Sequence, residues 1–338
     1  MALDVQVKHI SMMRGINPTM RKLPEESFTE WQDKARAKLK ELLGLPLETA
    51  VDPNFRIEWT HDEGTHTETR ILFESEPDAT VVCHLLLPKD IKEDEKLPLV
   101  ICLQGHSKGF HISLGRVLYD GDEKSINGGD RDFARQIIAR GQAALAIEQR
   151  AFGERGGTPA PNCYQPGVQA IMLGRTLIGE RCWDVSRAID MIEEHFPMID
   201  MNKIAVMGNS GGGTTTIYAA AVDTRIAAAM PSCSLCGYSA SIGEQHHCFC
   251  NYVPNVMKYF DMGDIVGLVA PRTFIAINGK DDHSFPLDSA KKQIEIASKV
   301  YKEVGAENQI HHITGPLGHR FYAALAWPVF DELTGWKE

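Results

Sequence analysis

At 338 residues the chain is long enough to bury one large core, and its 43% hydrophobic and 24% charged residues are those of an ordinary soluble protein. Its 35 basic and 45 acidic side chains leave a net charge of −10, which argues against a nucleic-acid-binding surface. No stretch approaches the roughly 18 consecutive apolar residues of a membrane-spanning helix, so no membrane partner is expected. Met1 to Lys22 lacks the apolar core of a signal peptide. The expectation is a cytoplasmic protein whose eight cysteines are mostly reduced thiols.

In chain order, a polar start leads into an amphipathic helix over Ser27 to Leu43, where Trp31, Ala35, Leu39 and Leu42 share a face. Residues 1–50 are read as a helical extension packed on a body formed by residues 51–338. Arg56 to Trp59, Thr67 to Phe73 and Thr80 to Leu87 are short β-prone runs, expected as antiparallel strands that start a sheet. From Leu99 the pattern changes to strands alternating with helices. Leu99 to Cys102 is a buried strand that ends in the loop LQGHSKG, residues 103–109, where Gly105 lets the backbone approach a substrate. Phe133 to Arg140 reads as a helix and Ala143 to Glu148 as a strand. Glu148, Arg150, Glu154 and Arg155 then form a dense charge cluster that either orients a substrate or pairs internally to hold loops. A helix follows over Arg181 to Phe196, and Trp183 at its start walls a pocket or joins the core. Ser113 to Asp130, Ala151 to Thr176 and Cys233 to Ile265 have little periodicity and follow strand ends, as site-shaping loops do.

The central signal is IAVMGNSGGG at residues 204–213. An apolar strand runs into Ser210 flanked by glycines, and Thr214 to Val222 continues as a helix whose free N–H groups point toward the serine. The bare G-x-S-x-G pattern would arise by chance in roughly one such chain in ten, so context decides. Ile226 to Met230 is a further strand. Thr273 to Asn278 is another, and its end displays Asp281 and Asp282, of which Asp282 is favoured and Asp281 left open because a one-residue shift changes which carboxylate points inward. Gln309 to Ile313 is the last strand, and His319 follows it where a helix begins. The order serine, acid, histidine is that of a strand-end catalytic triad. The backbone N–H groups of His106 and Gly211 are the expected oxyanion donors, so that His106 serves through its amide. Gln104, Gly105, Arg150 and Trp183 are candidate pocket residues.

These residues resemble the α/β-hydrolase superfamily, and within it the dienelactone-hydrolase-like and acetyl-xylan-esterase-like branch of bacterial serine esterases. The matching pieces are LQGH at 103–106, EQRAFGER at 148–155, LGRTLIG at 173–179, Trp183 with Asp184, the serine turn, HHCFCNYVP at 246–254, and Gly318 with His319. The resemblance implies a three-layer α/β sandwich with a mostly parallel sheet of about eight strands and antiparallel strands at its start. It also implies hydrolysis of a carboxylic ester, often an acetyl group on a carbohydrate, with no cofactor. A lactone or glucuronoyl ester hydrolase on the same triad, or a non-catalytic binding protein of the same fold, are the other readings. The implied partner is a small-molecule or oligosaccharide ester, and the chain is compatible with a homo-oligomer.

One group of residues competes as separate chemistry. Cys233 and Cys236, with His246, His247, Cys248 and Cys250, could on residue type alone supply a tetrahedral zinc site. Packing as buried thiols is preferred for them, and no metal is assigned.

Overall fold

A computed structural model describes residues 4–49, 52–89, 91, 96–156 and 160–336. The junction expected at residues 50 and 51, and residues 157–159 of the expected 151–176 loop, lie outside the described residues. Among the described residues nine strands form one sheet: β1 (Arg56–Asp62), β2 (His66–Glu76), β3 (Ala79–Pro88), β4 (Leu97–Leu103), β5 (Ala143–Ile147), β6 (Ile199–Asn209), β7 (Ala228–Ser232), β8 (Thr273–Gly279) and β9 (Ile310–Gly315). Their spatial order is β1-β2-β3-β5-β4-β6-β7-β8-β9. The pairs β1–β2, β2–β3 and β3–β5 are antiparallel, and every pair from β5–β4 to β8–β9 is parallel.

Alternation along the strands builds two cores. Leu99, Ile101 and Leu103 of β4 join the cluster that holds Ile178, Val185, Ile189 and Ile192 of the helix Leu177–His195 and Ile217 of the helix Gly211–Val222. Val100 and Cys102 point the other way, into the cluster with Phe133, Trp327 and Phe330 under the helix Ala323–Thr334. With both faces covered, β4, β5 and β8 are buried at every residue, which is why they read as unbroken apolar runs.

Trp31, Ala35, Leu39 and Leu43 of the helix Phe28–Leu43 belong to the first core, and the helix ends at Gly44 in the left-handed conformation. The face is the expected one, with Leu43 buried in place of Leu42. A helix Val5–Arg14 precedes it without an expected counterpart, because it buries no residue and carries no apolar stripe. The strand expected over Ile226 to Met230 lies later, from Ala228 through Pro231 to Ser232. Its pairing with β8 joins Ala228, Ala229 and Ser232 and skips Met230 and Pro231, consistent with proline's missing N–H. Among the described residues no helix is long and apolar enough to cross a membrane.

The parallel topology puts the C-terminal ends of β4 to β9 along one edge of the sheet. A crevice for chemistry is expected there. The three long segments of low periodicity leave from that edge and contain short helices at Asp122–Asn127, Tyr164–Met172, Val256–Tyr259 and Met262–Gly267.

Candidate active site

The chain leaves β6 at Asn209, and Ser210 takes φ 57° and ψ −121° before the helix Gly211–Val222 begins. A positive φ in a residue with a side chain costs on the order of 1–3 kcal/mol and persists only when the surroundings impose it. They do so by lack of space. A Cβ on Gly212 would lie 2.0 Å from the Leu103 carbonyl oxygen, and one on Gly208 would lie 2.5 Å from the Gly212 carbonyl carbon. Both glycines are therefore needed for β4, β6 and the helix to meet. The Ser210 N–H donates to the Ser232 carbonyl at 2.8 Å, fixing the turn to the end of β7.

The turn after β8 carries the acid. Asp282 Oδ1 accepts the N–H groups of Ser284 (3.0 Å) and Phe285 (3.3 Å), while Oδ2 faces His319 Nδ1 at 2.8 Å. Asp281 is exposed, so of the two carboxylates only Asp282 meets the histidine. Burial pushes the Asp282 carboxyl upward, but its bonds to His319 and Cys233 outweigh that and hold it below the ordinary range. With Asp282 ionised, Nδ1–H donates and Nε2 of His319 is left as an acceptor. The ring of Phe285 stacks on His319 with centroids 6.0 Å apart.

Ser210 and the segment that bears His319 are both tied to Ser232. Ser232 accepts from Ser210 through its carbonyl and donates from its hydroxyl to the carbonyl of Arg320 at 3.1 Å, next to His319. Cys233 Sγ lies 3.3 Å from that carbonyl oxygen. Thus the ends of β6, β7 and β8 and the segment after β9 converge.

The loop after β4 closes against the serine. A Cβ on Gly105 would come within 2.9 Å of Ser210 Cβ, and one on Gly211 within 2.9 Å of His106 Cε1. Gly105, His106 and Gly211 are therefore grouped around Ser210. Gln104 is not: its side chain turns inward, with Nε2 donating to Ser113 Oγ (2.6 Å) and the Arg131 carbonyl (2.7 Å).

The structure also removes Arg150 and Trp183 from the pocket. The Arg150 guanidinium is consumed by Asp184 (2.8 Å), Glu76 (2.6 Å) and Glu180 (3.3 Å). Asp184 also pairs with Arg155 at 2.6 Å, and Arg175 bridges Glu76 and Glu180, so the charge cluster is an internal lock between β2, the segment after β5 and the helix Leu177–His195. Trp183 donates from Nε1 to the Ser75 carbonyl at 2.8 Å and carries Arg187 over its ring. These side chains hold the scaffold behind the site.

The cysteine–histidine group of the sequence divides in space. Cys233 sits beside Asp282, Cys236 Sγ lies 3.8 Å from the Pro286 carbonyl, and His247 contacts Ser241 Oγ at 3.0 Å and the Phe285 ring. Cys248 and Cys250 instead meet His106 and Cys163, with one ligand atom from each of the four residues all within 4.8 Å of one another. Cys163 had no signal in the sequence, being a lone cysteine in an aperiodic stretch. The role expected for His106 concerned its amide alone, whereas its ring enters this cluster.

A cavity of about 830 Å³ lies between the helix Val5–Arg14 and residues 238–258, and neither Ser210, Asp282 nor His319 lines it.

Residues 5–314 match the model of the Abhydrolase family. The chain is 26% identical over 274 residues to the hydrolase YtaP of Bacillus subtilis, covering 77% of this chain and 90% of that protein. It is 29% identical over 262 residues to 4-O-methyl-glucuronoyl methylesterase 1 of Phanerochaete chrysosporium, covering 70% of this chain and 48% of that longer protein. Among solved structures, one described as an acetyl xylan esterase from Bacteroides fragilis superposes with a TM-score of 0.77 at 17% identity, over 98% of this chain and 90% of that one. A glucuronoyl esterase from Solibacter usitatus superposes with a TM-score of 0.69 at 15% identity, over 95% and 97% of the two chains. At those identities the structural likeness establishes the α/β-hydrolase fold.

Proposed function

The chain belongs to the Abhydrolase family, and from that premise we propose that it is a serine carboxylester hydrolase of carbohydrate esters, working through an acyl-enzyme. The observation that carries the reading is the 2.8 Å contact between His319 and a buried Asp282, at the same sheet edge as a serine held at φ 57°. Ser210 Oγ attacks the ester carbonyl while His319 Nε2 takes its proton. Asp282 holds the imidazole in the tautomer that leaves Nε2 free and stabilises the imidazolium that forms. The backbone N–H groups of His106 and Gly211 receive the developing oxyanion, where preorganised donors contribute most. His319 then protonates the leaving alcohol, and water repeats the sequence to release the acid.

Short acyl groups, acetyl above all, are the proposed leaving acids. A glucuronoyl ester, in which the sugar carries the acid, is the second reading, supported by the fungal methylesterase relative. Acetylated xylo-oligosaccharides assayed beside methyl glucuronate esters decide between the two. Ser210→Ala should remove hydrolysis of a short-chain aryl acetate by about 10⁴-fold or more while leaving the melting curve unchanged. Retained turnover in that variant would exclude the serine mechanism.

A further inference from the structure

Three segments distant in sequence deliver four metal-ligand side chains to one point beside the proposed oxyanion loop. His106 comes from the loop after β4, Cys163 from the segment after β5, and Cys248 and Cys250 from the segment after β7. His106 Nε2 lies 3.3 Å from Cys250 Sγ and 3.9 Å from Cys163 Sγ. A tetrahedral zinc ion with ordinary Zn–S and Zn–N bonds sets its ligands about 3.5 Å apart for sulfur and nitrogen and about 3.7 Å apart for two sulfurs. The two nitrogen–sulfur separations bracket that spacing, and all four ligand atoms lie within 4.8 Å of one another, close enough to share one ion. We propose that His106, Cys163, Cys248 and Cys250 form a structural Cys₃His zinc site.

Charge gives an independent argument. Arg181 is 1% exposed, and its guanidinium donates to the Arg150 carbonyl (3.1 and 2.7 Å) and to Cys163 Sγ (3.3 Å), with no carboxylate partner among the described residues. Its Nη1 has no hydrogen-bond partner among the described residues. A buried cation is costly without a counter-charge. Zinc binding displaces three thiol protons, and Zn²⁺ with three thiolates and a neutral imidazole carries one negative charge next to this arginine. The side chains of Phe152 and Arg181 cover the cluster, with the Arg181 guanidinium 4.2 Å from the Phe152 ring centroid and that ring 5.0 Å from His106.

All four ligand positions are filled by protein, as in a structural site rather than a catalytic one. The ion's effect on chemistry is indirect. Ligation through Nε2 fixes the His106 ring against Gly211, and so fixes the loop whose amide is proposed to face the oxyanion. His106 is in this respect a positioning residue.

Elemental analysis of the full-length protein from zinc-supplemented cells, after gel filtration with a mild chelator, should find about one zinc per chain. Cobalt(II) in its place should give the intense visible bands of a tetrahedral thiolate complex. Cys248, the one of the three cysteine ligands that is not fully buried, should resist alkylation until the metal is displaced. Cys163→Ser with Cys250→Ser should abolish both signals, while Cys236→Ser, outside the cluster, and Ser210→Ala keep them. The readout is metal content, so it stands apart from the esterase assignment. Metal-free protein that takes up no added zinc, a disulfide between two of the three cysteines, or equal zinc retention in the double variant would each overturn the proposal.

Discussion

Asp282 divides its two oxygens between two tasks. One accepts two backbone N–H groups of its own turn and the other meets His319, so the side chain is fixed in the place proposed for the triad acid. Asp282→Asn keeps the shape but offers an amide to Nδ1, which favours the wrong imidazole tautomer. A fall in kcat of about 10⁴-fold with little change in fold is expected. Steady-state kinetics together with near-ultraviolet dichroism test it; a loss of less than tenfold would mean that the carboxylate does not set the tautomer. The three residues proposed as the triad stood out in the sequence because each follows an apolar strand at the same relative place, and the structure brings Asp282 to His319. Asp281 could not be separated from Asp282 there, because one residue of turn geometry decides which carboxylate is buried. Gln104, Arg150 and Trp183 misled for a related reason: their residue types suit a pocket, but their hydrogen bonds close inward.

At the scale of elements, the site depends on how closely β4, β6 and the helix Gly211–Val222 approach. Gly212→Ala places a methyl group 2.0 Å from a backbone oxygen that cannot turn aside. Overpacking costs about 1–3 kcal/mol where side chains can yield, and a backbone obstacle puts this variant at or above the upper end. The expected result is a melting temperature several degrees lower together with lost esterase activity, since the same shift moves Ser210. A variant with wild-type stability would show that the helix can slide. The Arg150 lock predicts the opposite separation. Arg150→Ala removes one of the two arginines that face Glu76 and Glu180 and one of the two that face Asp184, costing about 3 kcal/mol of stability. KM measured well below the melting temperature should not change. A rise in KM with unchanged stability would return Arg150 to the pocket. The strands and their order of use were readable from alternation and apolar runs, whereas the long loops were not. Their contacts are made by single residues such as Cys163, which only tertiary structure brings to His106.

For the whole molecule, stability against pH is set by carboxyl groups shifted in opposite directions. Asp184, buried among arginines, is held below its ordinary range despite its desolvation, because Arg155 and Arg150 face it. Its contribution is present above the ordinary carboxylate range and is lost as the solution is acidified. Glu148 behaves in the reverse sense. Burial raises its carboxyl from the ordinary 4.5 to about 8, although the N–H groups of Phe110 and Glu154 face its Oε2, at 3.3 and 3.4 Å. It joins the loop after β4 to the turn at Gly153, whose backbone passes so near that a Cβ there would clash with Oε2. Between about pH 4.5 and 8 the unfolded chain has released this proton while the folded chain keeps it. Stability must then fall with rising pH across that window, by as much as about 1.4 kcal/mol per unit from this group. Glu148→Gln keeps the shape and stays neutral at every pH. The variant should match the wild type near pH 5 and exceed it near pH 8 by on the order of 2–3 kcal/mol, which urea unfolding at the two pH values would read directly. Parallel stability curves for the two proteins would mean that Glu148 ionises in the folded state as freely as in the unfolded one, and that the joint between the two loops is wet.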